Sequence, residues 1–335
     1  MIAHPLPLGW LCDPTNYTQD CNYPLLQSCL LKRPAVAARA NPGPLNAPLI
    51  RFPFRVRRGS GAARAHLSSI LQGGTMPEGH TIHRAARDHQ RILAGRSLRV
   101  SSPQGRFAAG ADHLDGRACL DVEAYGKHLV YRFDGESYLH VHLGLFGRIK
   151  KRKLPAPEPV GAVRVRLEGD THLVDINGPA ICETLDGDGF QALTGRIGPD
   201  VLREDADPER AFHRISRSRT SIGRLIMNQA VMAGIGNIYR TEILWRQGIH
   251  PDRPGREISR AEFDAIWTDA VHLLQIGVRK NAIVTVDNAP PGRSRYRERV
   301  NIFNKDRCPK CDGAIVRMEI DTRRAFACEV CQPTG

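Results

Sequence analysis

No stretch of this chain approaches the roughly 18 consecutive apolar residues that a membrane helix requires. Even the richest run, Leu139 to Ile149, is interrupted by His140, His142, Gly144 and Gly147. A membrane-spanning protein is therefore not expected. Acids are scarce relative to bases, 35 against 48 Lys and Arg, and the formal charge is +13. That balance disfavours a basic partner and favours a polyanionic one, either nucleic acid or an acidic membrane surface. Acids are scarcest in residues 1–75, where Asp13 and Asp20 stand against eight Lys or Arg. That segment also lacks a helical or strand period, a charged n-region ahead of an apolar core, and the basic amphipathic start of a transit peptide. It is expected to be disordered and dispensable. Either translation begins at Met76 or the segment is removed.

From Met76 onward the chain reads differently. With 335 residues in all and 41% hydrophobic content, it can build cores for two domains. Thr81 to Ala94 place Ile82, Ala85, Ala86, His89, Ile92 and Leu93 on one helical face, and Gly95 stops the helix. Leu129, Tyr131 and Phe133 alternate before the turn Asp134-Gly135, Tyr138 to Phe146 follow, and Val163, Val165 and Leu167 alternate again. The expected class is α+β, with an N-terminal antiparallel β-sandwich behind a leading helix over 76–200. Lys150 to Lys153, followed by Pro155, Pro157 and Pro159, reads as a flexible connector. A helical domain is expected over 207–300. There Ser221 to Gln229 reads helical, and a second helix runs through Ile238, Glu242 and Trp245 to a stop at Gly248. Between them, Gly234 and Gly236 free the backbone, so that the amides at the helix start could approach a phosphate and Asn237 could add a donor. A glycine-rich turn without a ligand fits these residues equally well.

The nine cysteines fall into three groups. Cys12, Cys21 and Cys29 lie in the first segment, while Cys119 and Cys182 are isolated and read as plain buried thiols. Cys308, Cys311, Cys328 and Cys331 form two C-x2-C knuckles with sixteen residues between them, over a third segment spanning 301–335. That spacing closes a tetrahedral thiolate site on one Zn2+ ion, and four thiolates leave no open position, so the metal's role is structural. Two disulfides in a secreted protein are the alternative, disfavoured by the absence of a signal peptide. Between the knuckles, Ile315 to Ile320 and Ala325 to Ala327 form a hairpin whose tip carries Arg323 and Arg324. The pair fits a solvated turn, or cations held steady enough to enter a groove.

Six stretches then carry a resemblance: MPEGHTIHR from Met76, YGKHL around Lys127, HLGLFGR near Leu145, RIGPDVL from Arg196, GIGNIYR at Asn237 and the terminal four-Cys finger. In this order the chain resembles the formamidopyrimidine-DNA glycosylase and endonuclease VIII family over residues 76–331. The resemblance implies a helix-two-turn-helix motif, a zinc finger and a DNA repair enzyme that removes oxidised bases and then cuts the strand. It implies a monomer in the bacterial cytoplasm, associated with the nucleoid, whose partner is damaged double-stranded DNA. The imino group of Pro77 would be the nucleophile, Glu78 the general acid, Lys127 the lysine that assists β-elimination, and Arg323 the fingertip arginine of δ-elimination, with Arg324 the alternative. Arg196, Gly236 and Asn237 would hold phosphates, and Leu145 and Phe146 would fill the gap left by a flipped nucleotide.

Departures from the family pattern bear on substrate. Thr81 stands where the purine-lesion branch carries a second acid, Asp175-Ile-Asn-Gly-Pro replaces its Arg-Phe wedge, and Asn288 to Arg299 is short for a lesion-capping loop. Oxidised pyrimidines and abasic sites are therefore expected, with oxidised purines the alternative. Gly144 stands where the endonuclease VIII branch often has a wedge glutamine. A non-catalytic zinc-ribbon binder or an abasic-site sensor would share the charge, finger and turn, but would give no reason for Pro-Glu directly after Met76.

Overall fold

The computed structural model describes residues 77–288 and 295–334. The readings made for 1–75 and for the middle of the 288–299 stretch lie outside the described residues.

The chain enters at Pro77 and forms α1 (Gly79–Leu93), which buries Ile82, Ala85, Ala86, His89 and Leu93 along the stripe read from the sequence. Gly95, at φ 77°, turns the chain out of the helix. Nine strands and one short helix follow: β1 (Arg96–Ser97), β2 (Arg99–Ser101), α2 (Ala108–Leu114), β3 (Ala118–Tyr125), β4 (His128–Phe133), β5 (Ser137–His142), β6 (Arg148–Lys153), β7 (Val163–Glu168), β8 (His172–Asn177) and β9 (Ile181–Leu185). They form two antiparallel sheets, ordered β1-β3-β4-β5-β9 and β2-β7-β8-β6. Val122, Leu129, Tyr131, Phe133, Leu139 and Val141 from the first sheet meet Val165, Leu167, Val174 and Ile176 from the second, with α1 against the same core. This is the expected sandwich behind a leading helix.

One sequence expectation fails here. Lys150 to Lys153 are not a connector but belong to β6, paired with β8 from Arg148↔Asn177 to Lys153↔His172. The strand lies at the sheet edge, where lysines discourage further pairing. Of its residues, Ile149 packs partly on the core, so there is little apolar alternation to betray a strand.

Five helices complete the described fold: α3 (Gly187–Arg196), α4 (Pro208–Ile215), α5 (Ile222–Leu225), α6 (Asn237–Arg246) and α7 (Arg260–Lys280). The last four share a second core of Ile222, Ile235, Tyr239, Ile243, Phe263, Ile266 and Leu274, whereas Phe190 and Leu193 of α3 pack with Val130, Tyr125 and Tyr138 of the first sheet. The helix expected over Ser221 to Gln229 shortens to the single turn of α5. Asn228 accepts the Ala230 N–H on its own side-chain oxygen at 3.0 Å, an alternative to continuing the helix. Gln229 then stitches the double turn, donating to the carbonyls of Met227 and Ile235 and accepting the Gly234 N–H at 3.0 Å. At the C-terminal end, β10 (Val316–Ile320) and β11 (Arg323–Ala327) form the expected hairpin. Asp321 and Thr322 make its turn, so Arg323 and Arg324 open the returning strand instead of forming the tip. No helix among the described residues is long and apolar enough to cross a membrane.

Candidate active site

Glu78 stands at the N-cap of α1 in extended conformation, yet its carboxylate makes no bond to its own helix. It crosses to α6, where Oε2 accepts the Gly236 N–H and Oε1 the Ile238 N–H, each at 2.9 Å. The backbones are stitched at the same point by Gly79 N–H to the Gly234 carbonyl, 2.8 Å. A Cβ on Gly79 would lie 2.6 Å from Gly234 Cα, and one on Gly236 would lie 2.3 Å from Glu78 Cδ, so close approach imposes both glycines. The amides expected to be open to a phosphate are therefore already filled. A helix N-terminus favours an acceptor such as a carboxyl oxygen, and here the Glu78 side chain takes that place.

Burial pushes the Glu78 carboxyl above its usual range, against the opposing pull of Lys127 and the amides of Ile238, Tyr239 and Gly236. Pro77, immediately before it, is half-buried. Lys127 stands in the turn between β3 and β4. Burial brings its ammonium down to about 8, with Glu78 opposing the drop and Arg323 adding to it. Glu78, Lys127 and Arg323 thus share one electrostatic neighbourhood. Arg324 contributes its backbone instead, its carbonyl accepting from Asn237 Nδ2 at 3.0 Å and from the Arg240 guanidinium at 3.3 Å. Asn237 is buried, and its Oδ1 also accepts from Arg240, so its amide is engaged at both ends. Arg196 is exposed at the end of α3. Leu145 and Phe146 project from the turn after β5, 55% and 74% exposed, among the few large apolar side chains left in solvent.

The sulfurs of Cys308, Cys311, Cys328 and Cys331 lie within 4.8 Å of one another. Two of their spacings are 3.8 Å and 3.4 Å, near the edge of about 3.8 Å expected for four sulfurs roughly 2.3 Å from a shared metal. The set fits one metal ion held without an open position. Trp245 Nε1–H donates to Cys308 Sγ at 3.4 Å, tying the knuckle to α6. Cys119 and Cys182 are plain thiols, as expected, each pushed up to about 12 by burial.

Several supporting residues escaped the sequence reading. Asp200 accepts the Gly126 N–H at 2.6 Å, meets His83 Nε2 at 2.7 Å and accepts the Leu202 N–H at 3.0 Å, anchoring the turn that carries Lys127. Arg240 is fully buried and joins α6 to β11. His128, His140 and Glu183 form a hydrogen-bonded chain across β4, β5 and β9. The first two groups sit inside motifs already noticed, and the His-Val-His alternation of β5 placed two histidines on one sheet face.

Comparison with known proteins supplies context for this arrangement. Residues 76–179 match the formamidopyrimidine-DNA glycosylase N-terminal domain, and residues 197–288 match the formamidopyrimidine-DNA glycosylase H2TH domain. Endonuclease 8 1 of Mycobacterium tuberculosis is 44% identical over 267 residues, covering 77% of this chain and 100% of the relative. Formamidopyrimidine-DNA glycosylase of Geobacter metallireducens is 28% identical over 268 residues, with 77% and 100% covered. Among solved structures, the Lactococcus lactis Fpg (MutM) complex with N7-benzyl-Fapy-dG-containing DNA aligns at a TM-score of 0.64 and 19% identity. It covers 77% of this chain and 100% of that one. At that identity the likeness speaks to fold alone.

Proposed function

The chain belongs to the formamidopyrimidine-DNA glycosylase and endonuclease 8 family of DNA glycosylases, and we propose that it excises oxidised bases, pyrimidines foremost, from damaged double-stranded DNA and cuts the resulting strand by β,δ-elimination. The observation that carries the reading is the docking of Glu78, next in sequence to Pro77, onto the start of α6, with Lys127 and Arg323 in the same electrostatic neighbourhood. The preference for pyrimidines draws support from 44% identity to an endonuclease 8 against 28% to a formamidopyrimidine-DNA glycosylase.

The nucleophile in this reading is the ring nitrogen of Pro77, freed when the residues before it are removed. A chain-terminal amine has a pKa of about 8 against about 10.4 for lysine, so roughly one molecule in ten carries the reactive form at pH 7. Its lone pair forms the bond to C1′ while the bond to the base breaks, and the departing base takes a proton from Glu78. Passage of the amine proton to O4′ as the C1′–O4′ bond opens leaves an iminium and a free hydroxyl, a product an amide nitrogen could not form. The upward shift of Glu78 favours the protonated carboxyl that such an acid needs. Lys127 assists the first elimination and Arg323 the second. Arg323, unlike Arg324, bears on the electrostatics of Lys127 and Arg240, which favours it for that role. Leu145 and Phe146 wedge the duplex. Arg196 grips phosphate, as does Asn237 at the Gly236 turn once its bond to the Arg324 carbonyl is released. The four cysteines hold one structural Zn2+, a set of donors suited to that ion.

Protein beginning at Met76 should form a borohydride-trapped covalent adduct with duplexes carrying an abasic site or thymine glycol, and mass spectrometry should place the sugar on the peptide that begins at Pro77. An adduct formed by chain that retains residues 1–76 would overturn the assignment of Pro77.

A further inference from the structure

The five-stranded sheet carries a polar chain on the face opposite the sandwich core. His128 of β4 stands opposite His142 of β5, and His140 of β5 stands opposite Glu183 of β9. Glu183 Oε1 lies 2.9 Å from His140 Nδ1, and His140 Nε2 lies 2.8 Å from His128 Nδ1. The chain therefore runs from a carboxylate that is 50% exposed, through a histidine that is fully buried, to His128 beside Lys127. No described group bonds the far nitrogen of His128, Nε2. The ring of His142 lies 4.9 Å from that of His128, with its own Nδ1 accepting the Gly144 N–H at 3.2 Å.

This wiring permits two states that differ by one proton. An ionised Glu183 only accepts, so His140 carries its proton on Nδ1. With His140 neutral, its bare Nε2 accepts from Nδ1–H of His128, and Nε2 of His128 is left as an acceptor. A solvent proton added to that nitrogen lets the Nδ1 proton cross the 2.8 Å bond to His140. His140 then holds the charge, balanced by Glu183, and His128 offers an N–H donor at the far end. Only the second state can bond a phosphate oxygen.

We propose that Glu183, His140 and His128 form a proton-coupled latch for a phosphate of the bound strand, in which His128 turns from acceptor to donor as the strand docks. The proposal rests on the reading of this protein as a DNA-binding glycosylase. In the free protein the neutral state prevails. Burial, with His140, His142, Arg196 and Lys127 adding to it, depresses His128 to about 3. His140 and His142 are lowered as well, mainly by burial, although Glu183 pulls His140 the other way. A phosphate set among Lys127, Arg196 and these rings cancels much of that repulsion, so docking draws in a proton. His128 is the contacting group, while His140 and Glu183 position its proton.

The test is the affinity for an uncleavable duplex bearing a tetrahydrofuran abasic analogue, followed from pH 5.5 to 7. Uptake of one proton weakens binding by up to about tenfold per pH unit as pH rises. Glu183→Gln and His128→Asn should each remove this component of the slope, and His128→Asn, which also loses the contact itself, should bind more weakly at pH 5.5 than Glu183→Gln or the parent. Nitrogen-15 spectra of the histidines in the parent should show His128 protonated on Nδ1 when free and on Nε2 in the complex. Equal slopes in the parent and both variants, or an Nε2–H tautomer of His128 in the free protein, would overturn the latch. A parent that binds no duplex at any pH would instead overturn the DNA-glycosylase reading beneath it.

Discussion

Glu78 and Gly236 are in contact at the centre of the fold: the glutamate's Oε2 accepts the glycine's N–H at 2.9 Å, across 158 positions of sequence. The carboxylate leaves no room for a side chain, since a Cβ at Gly236 would lie 2.3 Å from Glu78 Cδ. Gly236→Ala should displace the carboxylate from the helix start, at a cost of about 1–3 kcal/mol in stability. Base excision should fall much further than cleavage of a preformed abasic site, because only the former needs an acid for the departing base. Thermal melting and the two cleavage assays read these effects separately, and equal losses in both assays would argue against Glu78 as that acid.

Lys127 makes a prediction of opposite sign for stability and for activity. Its proton leaves near 8 in the folded protein against 10.5 ordinarily, so the native state binds fewer protons between those values. Stability contributed by this group therefore rises as pH climbs through that window, and below it the buried charge is a cost of up to ~3 kcal/mol. Lys127→Met should raise the melting temperature at pH 7 and flatten its dependence between pH 8 and 10.5, while abolishing strand cleavage. A variant less stable than the parent at pH 7 would show that the ammonium is better compensated than its surroundings imply.

Elements with a periodic apolar signature could be read from sequence alone, and those held by polar side chains could not. The face of α1 was visible in Ile82, Ala85, Ala86 and Leu93, and the sandwich in Leu129, Tyr131, Val165 and Leu167, because each element buries one regular stripe. Strand β6 was hidden because its lysines mask the period and its backbone pairs on one side. The four-Cys site was legible from spacing, since metal geometry leaves few alternatives. Asp200 and Arg240 were not, because what they do depends on partners 74 and 84 positions away. The same applies to the start of α6: two glycines announced a close approach there, but not that the approaching group is the Glu78 carboxyl.

Loss of the metal should act on chemistry through geometry. The finger has a small core of its own, Trp245, Ile302, Ile315 and Phe326 beside Cys308 and Cys328, too little apolar surface to hold a hairpin without the ion. Purified protein should contain one zinc per chain. Its removal by a strong chelator should release β11, breaking the bonds from the Arg324 carbonyl to Asn237 and Arg240 and withdrawing Arg323 from Lys127. Strand cleavage should disappear while the far-ultraviolet signal of the sandwich is kept, and full cleavage by metal-free protein would refute this role.

Leu145 and Phe146 allow binding to be separated from folding. They are 55% and 74% exposed, so replacing both with Ala should change stability by no more than about 0.5 kcal/mol. In a duplex, extruding a nucleotide costs a few kcal/mol of stacking, which an inserted apolar side chain offsets in part. If Leu145 and Phe146 fill that gap, excision from duplex DNA by the double variant should slow by about tenfold or more, the equivalent of ~1.4 kcal/mol. On a single strand carrying an abasic site there is no stack to refill, and borohydride trapping should proceed at the parental rate. A double variant that loses both activities equally would mean that the turn shapes the site around Pro77 instead of holding the duplex open.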